Sequence, residues 1–308
     1  MLVCSSIDMF CFRYHSAAFF LLIILFAASG YAQNHAQNKE KWDVQWEPAK
    51  PVNGSPVLFR VKAPRLLKEM KGNFMGQEIE FRHNSACHCW YTIAGVSLDT
   101  KPGTYTLQIA GKGQQDEDFS TTADVEVGEA NYPSTTLKVA PQFVEPPKEA
   151  QAKIDEDRAT KTKIFSELPQ EPKWVGRFLP PVKTTASGGF GAARVFNGKL
   201  NSQHTGLDFH AKTGTPVHAT NNGVVILARA LFYEGNCVMI NHGQGLITLY
   251  MHLSKFKVKE GDTVKKGQLI GLSGGTGRAT GPHLHFAVRW HGEYLDPRTL
   301  LALRPPAN

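Results

Sequence analysis

Cysteine is scarce in this chain. Five of the 308 residues are cysteine, and two of them, Cys4 and Cys11, lie within the first 32 residues. The remaining three cannot build the disulfide framework that stabilises many small secreted domains. Two of these three lie in the triplet Cys87-His88-Cys89, which could bind a soft metal ion. Oxidation of the two thiols, or an ordinary loop, is the favoured interpretation in an exported chain.

Several motifs with well-known chemistry are also missing. There is no His-Glu-x-x-His helix, so no motif glutamate is available as a general base. The glycine-rich segment 274–277 is not followed by Lys-Ser/Thr, which excludes a phosphate-binding loop and favours a turn that lets a substrate backbone approach. The net charge is +7, but no basic segment carries interleaved aromatic residues. We therefore expect no nucleic-acid partner.

The chain has one long apolar run, at residues 17–28. The run is too short to cross a membrane comfortably. Arg13 precedes it and the small-residue site Gly30-Tyr31-Ala32 follows it, which is typical of a secretory signal peptide. We expect residues 1–32 to be a signal peptide and the mature protein to be periplasmic or secreted, without a stable membrane span. An uncleaved signal anchor is the alternative.

Residues 38–128 predict a small β-sandwich. Short segments of alternating apolar and polar residues are separated by turns such as Lys101-Pro102-Gly103. The predicted strands are 57–61, 78–81, 90–94 and 104–109. Strands with this length and spacing are typical of an antiparallel, immunoglobulin-like sandwich. The pattern indicates a binding or spacer role and does not identify a ligand.

Residues 129–172 predict a linker that contains one helix. Six prolines bracket a charged segment from Lys148 to Glu167, which has only a thin apolar stripe. Such a helix could lie against the following domain or cover its groove. The sequence leaves both arrangements open.

Residues 173–303 predict a second β domain. Glycine and β-branched residues dominate, and no helical periodicity of useful length interrupts the predicted strands, which lie around 217 and at 223–227, 237–240, 246–250, 269–271 and 284–288. The expected fold class is therefore all-β. It comprises an N-terminal antiparallel β-sandwich and a C-terminal glycine-rich antiparallel β domain, joined by the proline-rich linker.

Histidines lie in this second domain at spacings that suit a metal site. In an extended strand His283 and His285 point to the same face. About eighty residues earlier, glycines around His204 and Asp208 argue against a helix, so a bend at Thr205-Gly206 must bring these two side chains together. Imidazole and carboxylate groups without a thiolate are the ligand set of a catalytic zinc site, which keeps one position for water.

A further histidine, His252, lies at the end of another predicted strand. With a pKa near 6.5, a histidine can take up and release protons near neutral pH. Spacing alone does not tell which histidines bind metal and which transfer protons among His204, His252, His283 and His285.

Three motifs in this domain resemble those of the lysostaphin/LytM-type zinc metallopeptidases. They are His-x-x-x-Asp at 204–208, Met-His-Leu-Ser at 251–254 and Gly-Pro-His-Leu-His-Phe at 281–286, and the resemblance runs from about 143 to 303. It implies a zinc-dependent endopeptidase with one Zn²⁺ per chain. Its partners would be the stem peptides or cross-bridges of bacterial peptidoglycan, whose peptide cross-links such enzymes hydrolyse.

Carried over position by position, the resemblance also implies a role for each residue. It makes His204, Asp208 and His285 the metal ligands, and it makes His252 and His283 the catalytic pair. The other histidines of the domain are interpreted as ordinary surface or core residues, namely His210, His218, His242 and His291.

Three rival interpretations use the same sequence. Residues 261–268 resemble the turn of lipoyl or biotinyl carrier domains, which would leave the histidines without a role. Two histidines and a carboxylate also form the facial triad of non-heme iron oxygenases. A non-catalytic cell-wall binding protein or amidase activator on the same fold is the third rival. The sequence leaves open which cross-link is cut, the ligand of the N-terminal domain and the oligomeric state.

Overall fold

The structure, a computed structural model, describes residues 41–307 except 138–139, 167–168, 197 and 199. The predicted signal peptide, residues 1–32, lies outside the described residues. Within the described part of the chain, no helix has the length and apolar character needed to cross a membrane.

The first part of the described chain forms two four-stranded antiparallel sheets. Its strands are β1 (Asp43–Glu47), β2 (Pro56–Lys62), β3 (Leu67–Phe74), β4 (Gln77–Glu80), β5 (Arg82–Asn84), β6 (Cys89–Gly95), β7 (Gly103–Gly113) and β8 (Asp118–Val127). The strand order is β1-β2-β6-β5 in one sheet and β4-β3-β7-β8 in the other.

The two sheets pack their apolar faces against each other. Phe59 of β2 and Phe74 of β3 meet edge to face, with ring centroids 5.1 Å apart. Along β7, Leu107 and Ile109 are buried while the residues between and beside them are exposed. This alternation with a period of two residues is what one buried face of a sheet requires. The predicted antiparallel β-sandwich is confirmed.

The turn between β5 and β6 contains the cysteine triplet. Cys87 and Cys89 form a disulfide. Of the two interpretations favoured from the sequence, oxidation and an ordinary loop, the structure shows oxidation. The thiols are therefore not available to a soft metal ion.

The rest of the described chain contributes further strands and two α-helices. A 3₁₀ turn (Pro141–Phe143) precedes the first helix. The elements are β9 (Ser134–Leu137), α1 (Lys148–Ser166), β10 (Ala186–Gly188), β11 (Ala193–Phe196), β12 (Leu200–Gln203), β13 (Gly206–Phe209), β14 (Pro216–His218), β15 (Gly223–Leu231), β16 (Gly235–Asn241), β17 (Leu246–Phe256), β18 (Thr263–Val264), β19 (Leu269–Ser273), β20 (Leu284–Trp290), β21 (Glu293–Leu295) and α2 (Pro297–Ala302).

A large antiparallel sheet forms the C-terminal part of the molecule. Its main path runs β10-β13-β20-β17-β16-β15-β18, while β14 pairs with β19, β19 with β17, and β21 with β20. The sheet buries apolar side chains on both faces, which explains the nearly continuous apolar runs of β16, β17 and β20. The predicted all-β fold class is confirmed.

The linker segment contains the predicted helix and one unpredicted strand. The strand β9 pairs in parallel with β11, which in turn pairs with β12. The helix α1 lies against the C-terminal sheet, where Ile164 and Phe165 pack on apolar side chains. The guanidinium of Arg289, on β20, lies 4.0 Å from the centre of the Phe165 ring.

Candidate metal centre

The strand register of the large sheet places Asp208 beside His285. Asp208 of β13 is paired with His285 of β20, and Met251 of β17 is paired with His285 across the other edge of β20. Paired residues point to the same face of a sheet. On the opposite face Tyr250 packs against Phe286, with ring centroids 5.3 Å apart. The sheet thus separates Asp208 and His285, on one face, from the aromatic core on the other face.

His204 reaches the same point from the bend that precedes β13. The residue is buried, and its Nδ1 lies 2.6 Å from the carbonyl oxygen of Gly189. A carbonyl oxygen can only accept, so Nδ1 carries a hydrogen, and in a neutral ring Nε2 would carry the lone pair. This Nε2 lies 3.1 Å from Asp208 Oδ1 and 3.1 Å from His285 Nδ1.

These three side chains could hold a divalent metal ion. His285 Nδ1 lies 2.8 Å from Asp208 Oδ1, and the ligand atoms of all three residues lie within 4.8 Å of one another. The contact between Nε2 of His204 and the carboxylate oxygen of Asp208 is favourable only where a proton or a cation lies between the two atoms. Two imidazoles and one carboxylate are suited to zinc.

The surroundings of the cluster favour a charged Asp208 carboxylate and a neutral His285 ring. Burial alone would raise the pKa of the Asp208 carboxyl, but hydrogen bonds and charges from His204 and His285 outweigh it and hold that pKa well below its ordinary value. Burial lowers the pKa of His285, against the opposing effect of Asp208. Both residues therefore have the deprotonated state that metal binding requires.

Arg194 binds the second oxygen of the Asp208 carboxylate. Its Nη2 donates to Oδ2 at 2.6 Å, and both side chains are largely buried. The contact leaves Oδ1 facing the imidazoles and fixes the orientation of the carboxylate. No local sequence pattern marks Arg194 for this role, because the pair joins two strands, β11 and β13.

A β-bulge turns His252 toward the same face of the sheet. Asn236 pairs with Leu253 and Val238 pairs with Tyr250, so β17 has one residue more than β16 at this point. His252 has a φ of 61°, in the left-handed region. In a regular strand its side chain would share the core-facing side of Tyr250, two residues earlier. The bulge redirects it into the groove.

His252 and His283 lie together beside the three ligand atoms. Their ring centroids are 4.8 Å apart, and the ring of His252 is 6.0 Å from that of His285. The Nδ1 of each donates at 2.8 Å to a backbone carbonyl, that of Thr276 and that of Gly281 respectively. With Nδ1 engaged in this way, Nε2 is the ring nitrogen of each histidine that remains to accept a proton. Burial, followed by repulsion from the neighbouring histidines, lowers the pKa of His252 to about 3.

These side chains lie in an open groove of about 410 Å³. Tyr233, Glu234 and Arg278 also line it, and the guanidinium of Arg278 lies 4.9 Å from the centre of the Tyr233 ring. Tyr233 and Glu234 were not among the residues predicted to form the site. No periodic signal could have revealed them, because they lie in the turn between β15 and β16.

The fold and the groove together define a class of protein. An all-β domain brings two imidazoles and one carboxylate to a single point, with two more imidazoles beside it. Sites with three nitrogen and oxygen ligands that leave room for water are typical of metal-dependent hydrolases. The arrangement is that of a metallohydrolase.

Comparison with known proteins gives the family. The sequence profile of peptidase family M23 matches residues 202–297. The peptidoglycan DD-endopeptidase ShyA of Vibrio cholerae serotype O1 is 51% identical over 90 residues, which cover 29% of this chain and 21% of ShyA. A crystal structure described as a peptidase M23 from Pseudomonas aeruginosa covers 82% of this chain and 95% of its own, with a TM-score of 0.62 and 26% identity.

A further solved structure is the catalytic domain of the antimicrobial peptidase lysostaphin from Staphylococcus simulans. It is 37% identical, covers 39% of this chain and 93% of its own, and has a TM-score of 0.36.

Residues 202–297 are therefore a domain of peptidase family M23. The predicted resemblance to lysostaphin/LytM-type peptidases and the prediction of a peptidase are confirmed at the level of the family. The chain spans about a fifth of the length of ShyA, the curated relative described above.

Proposed function

We propose that this protein is a zinc-dependent endopeptidase that hydrolyses peptide cross-links of bacterial peptidoglycan. The observation that carries the proposal is the convergence of three ligand atoms, from His204, Asp208 and His285, within 4.8 Å of one another. In this proposal these three residues bind one Zn²⁺ per chain. His252 and His283 are the catalytic pair.

Each proposed ligand is oriented by a neighbour. The carbonyl of Gly189 fixes the ring of His204, and Arg194 fixes the carboxylate of Asp208. Such outer contacts set both the tautomer and the direction of a metal ligand. Zinc bound there supplies a Lewis acid, which polarises a peptide carbonyl and lowers the pKa of water to about 7.

The catalytic pair performs the proton transfers. The backbone carbonyls of Thr276 and Gly281 hold the Nδ1 hydrogens of His252 and His283, so only the Nε2 atoms are free to accept a proton. One imidazole can take the proton of the attacking water and return it to the leaving amine. Because burial lowers the pKa of His252 to about 3, its ring is unprotonated near neutral pH and can accept a proton.

The relatives support a peptidoglycan substrate. ShyA is named a peptidoglycan DD-endopeptidase, and we propose a cross-link between stem peptides, or a cross-bridge, as the substrate of this chain. The groove that holds the five side chains is open, so a peptide can reach them.

An envelope location is part of the proposal. The signal-like segment 1–32 supports export, and the disulfide between Cys87 and Cys89 supports an oxidising compartment. We propose that the mature protein is periplasmic or secreted. We also propose the domain division 38–128, 129–172 and 173–303, with the zinc peptidase in the last part.

The experiment is a digest of cross-linked sacculi. Purified protein is incubated with and without a chelator, and the released muropeptides are identified by mass spectrometry. We expect cross-linked dimers to be converted to monomers, chelation to stop the reaction and zinc to restore it.

Two outcomes would contradict the proposal. Undigested dimers with zinc-loaded protein would exclude the endopeptidase. Activity restored by ferrous iron and oxygen but not by zinc would support the facial-triad rival.

A further inference from the structure

The turn Phe232–Glu234 between β15 and β16, hereafter the rim turn, holds His252 in place. The backbone N–H of His252 donates to the carbonyl oxygen of Glu234 at 2.9 Å. This bond lies at the bulge where His252 adopts its φ of 61°. A non-glycine residue in that region persists only where its surroundings enforce it. The rim turn is one of the contacts that enforce it.

The rim turn also supports the loop that fixes the ring of His252. The N–H of Arg278 donates to the carbonyl oxygen of Tyr233 at 2.8 Å. A Cβ on Gly235, the residue after the turn, would lie 2.4 Å from the backbone of Thr276, so the two segments are in close contact. The carbonyl of Thr276 is the acceptor for Nδ1 of His252. Both the backbone and the ring of His252 thus depend on the position of the rim turn.

Helix α1 contacts both ends of the rim turn. Asp157 is buried, and its Oδ2 accepts the N–H of Phe232 at 2.6 Å. Its other oxygen pairs with Lys153 at 2.8 Å. One turn further along the helix, Lys161 pairs with Glu234. A buried carboxylate therefore caps the start of the turn, and an ion pair holds its end.

Helix α1 contacts the rim turn without lining the groove itself. None of the described residues that line the groove belongs to α1, so the helix does not cover the groove in this structure. A turn between two strands without such support would leave the N–H of Phe232 unpaired and Glu234 without its cation. Asp157 accepts a backbone N–H of the rim turn, and Lys161 pairs with a charged side chain of the turn.

We propose that α1 is a positioning element for His252, with Asp157 and Lys161 acting through the rim turn to hold the imidazole toward the groove. The inference rests on the proposed function, since it assigns the helix a part in the same peptidase reaction. It gives the linker between the two β domains a role in turnover. The two helix residues are positioning residues and do not contact the substrate.

The first test compares two variants of the full-length chain with matched controls. Asp157→Ala and Lys161→Ala remove the two contacts, whereas Asp155→Ala and Lys163→Ala make the same changes at exposed positions of the same helix. Bound zinc, kcat and KM are measured on a purified cross-linked muropeptide dimer. We expect Asp157→Ala to lower kcat about tenfold, because a small misplacement of a catalytic group has effects of this order or larger. Zinc content and KM should stay within about twofold of the unaltered protein, and the controls should match it.

A conservative variant separates positioning from general stability. Asp157→Asn keeps one oxygen that can accept the N–H of Phe232 but loses the negative charge and the ion pair with Lys153. We expect it to recover at least half of the kcat that Asp157→Ala loses. An equal loss of kcat in both variants would overturn the proposed role of the Phe232 contact. If Asp157→Ala does not fold, Lys161→Ala, which removes a partly exposed pair, gives the answer by the same comparison.

Hydrogen exchange tests the inference without using activity. The amide of His252 donates to Glu234, and its exchange rate can be followed by NMR or by mass spectrometry of short peptides. We expect Asp157→Ala to accelerate exchange at Phe232 and His252 and the control Asp155→Ala to leave it unchanged. Unchanged exchange at His252 in Asp157→Ala would overturn the inference. Lack of turnover by the unaltered, zinc-loaded protein would instead refute the proposed function, so the two failures are distinguishable.

Discussion

The Oδ1 atom of Asp208 lies 2.8 Å from Nδ1 of His285, although 77 residues separate them in the chain. The contact follows from the register of β13 and β20, in which the two residues are direct partners. Rigid neighbouring strands hold ligands more accurately than loops do. The position of the proposed metal is therefore set by the hydrogen-bond ladder of the sheet.

Removal of a proposed ligand should abolish zinc binding and activity together. We expect His204→Ala and Asp208→Ala to purify with less than about a tenth of the zinc of the unaltered protein, since two ligands are too few for a stable site. Metal content is measured by plasma mass spectrometry and compared with muropeptide release. His210→Ala, at an exposed histidine of the same strand region, is the control. Full zinc occupancy in Asp208→Ala would remove Asp208 from the ligand set.

Removal of a proposed catalytic histidine should separate zinc binding from turnover. His252→Ala leaves the three ligands unchanged and deletes a proton acceptor, so zinc content should be retained and kcat should fall by about 10²- to 10⁴-fold. Single-turnover kinetics on a muropeptide dimer, together with metal analysis, check both parts. Unaltered kcat would show that His252 takes no part in the mechanism.

Replacement of Arg194 should weaken zinc binding from outside the ligand set. Arg194→Met loses the hydrogen bond to Oδ2 of Asp208 but keeps much of the side-chain volume. Loss of such an outer contact typically costs about 10- to 100-fold in metal affinity. Competition with a chromophoric chelator measures the zinc dissociation constant, and Arg177→Met, at an exposed site, is the control. Equal constants for both variants would contradict an orienting role for Arg194.

The buried His242 should make stability depend on pH. Its Nδ1 donates to the carbonyl of Asn222 at 2.6 Å and its Nε2 lies 2.8 Å from the Thr248 hydroxyl. Burial lowers the pKa of His242 to about 4 in the folded protein, whereas the unfolded chain takes up this proton near pH 6.5. The stabilisation of the fold that depends on a neutral His242 is therefore fully present above pH 6.5. It is lost progressively as the pH falls from 6.5 to about 4.

Urea unfolding of metal-free protein at several pH values checks this expectation. The free energy of unfolding should fall more steeply for the unaltered protein than for His242→Gln. Between pH 6.5 and about 4, the difference in unfolding free energy between the two proteins should shrink by about 3 kcal/mol. This figure follows from about 1.36 kcal/mol for each unit of pKa shift. Parallel pH profiles would show that His242 does not cause the dependence.

Much of the fold could be predicted because alternation and turns are local signals. The predicted strands 57–61, 90–94 and 246–250 all fall within observed strands. The strand β3 was harder to recognise, since a bulge near its start places the buried Leu67 and Met70 three residues apart. A spacing of three residues imitates a helix. The strand β9 was missed because its partner β11 lies far along the chain.

The sequence by itself determined the chemistry that is available. It contains the histidines and the aspartate in motifs that mark a family, and it has the alternating pattern of an all-β chain. Residue types and short spacings are properties of the covalent chain, so they can be read without a structure.

Only the tertiary structure decided how these groups are oriented and supported. The bulge that turns His252 into the groove, the bond from Arg194 to Asp208 and the contact of α1 with the rim turn each join segments that no local pattern relates. They arise from strand register and long-range packing, which depend on the whole set of buried contacts and not on any single stretch of sequence.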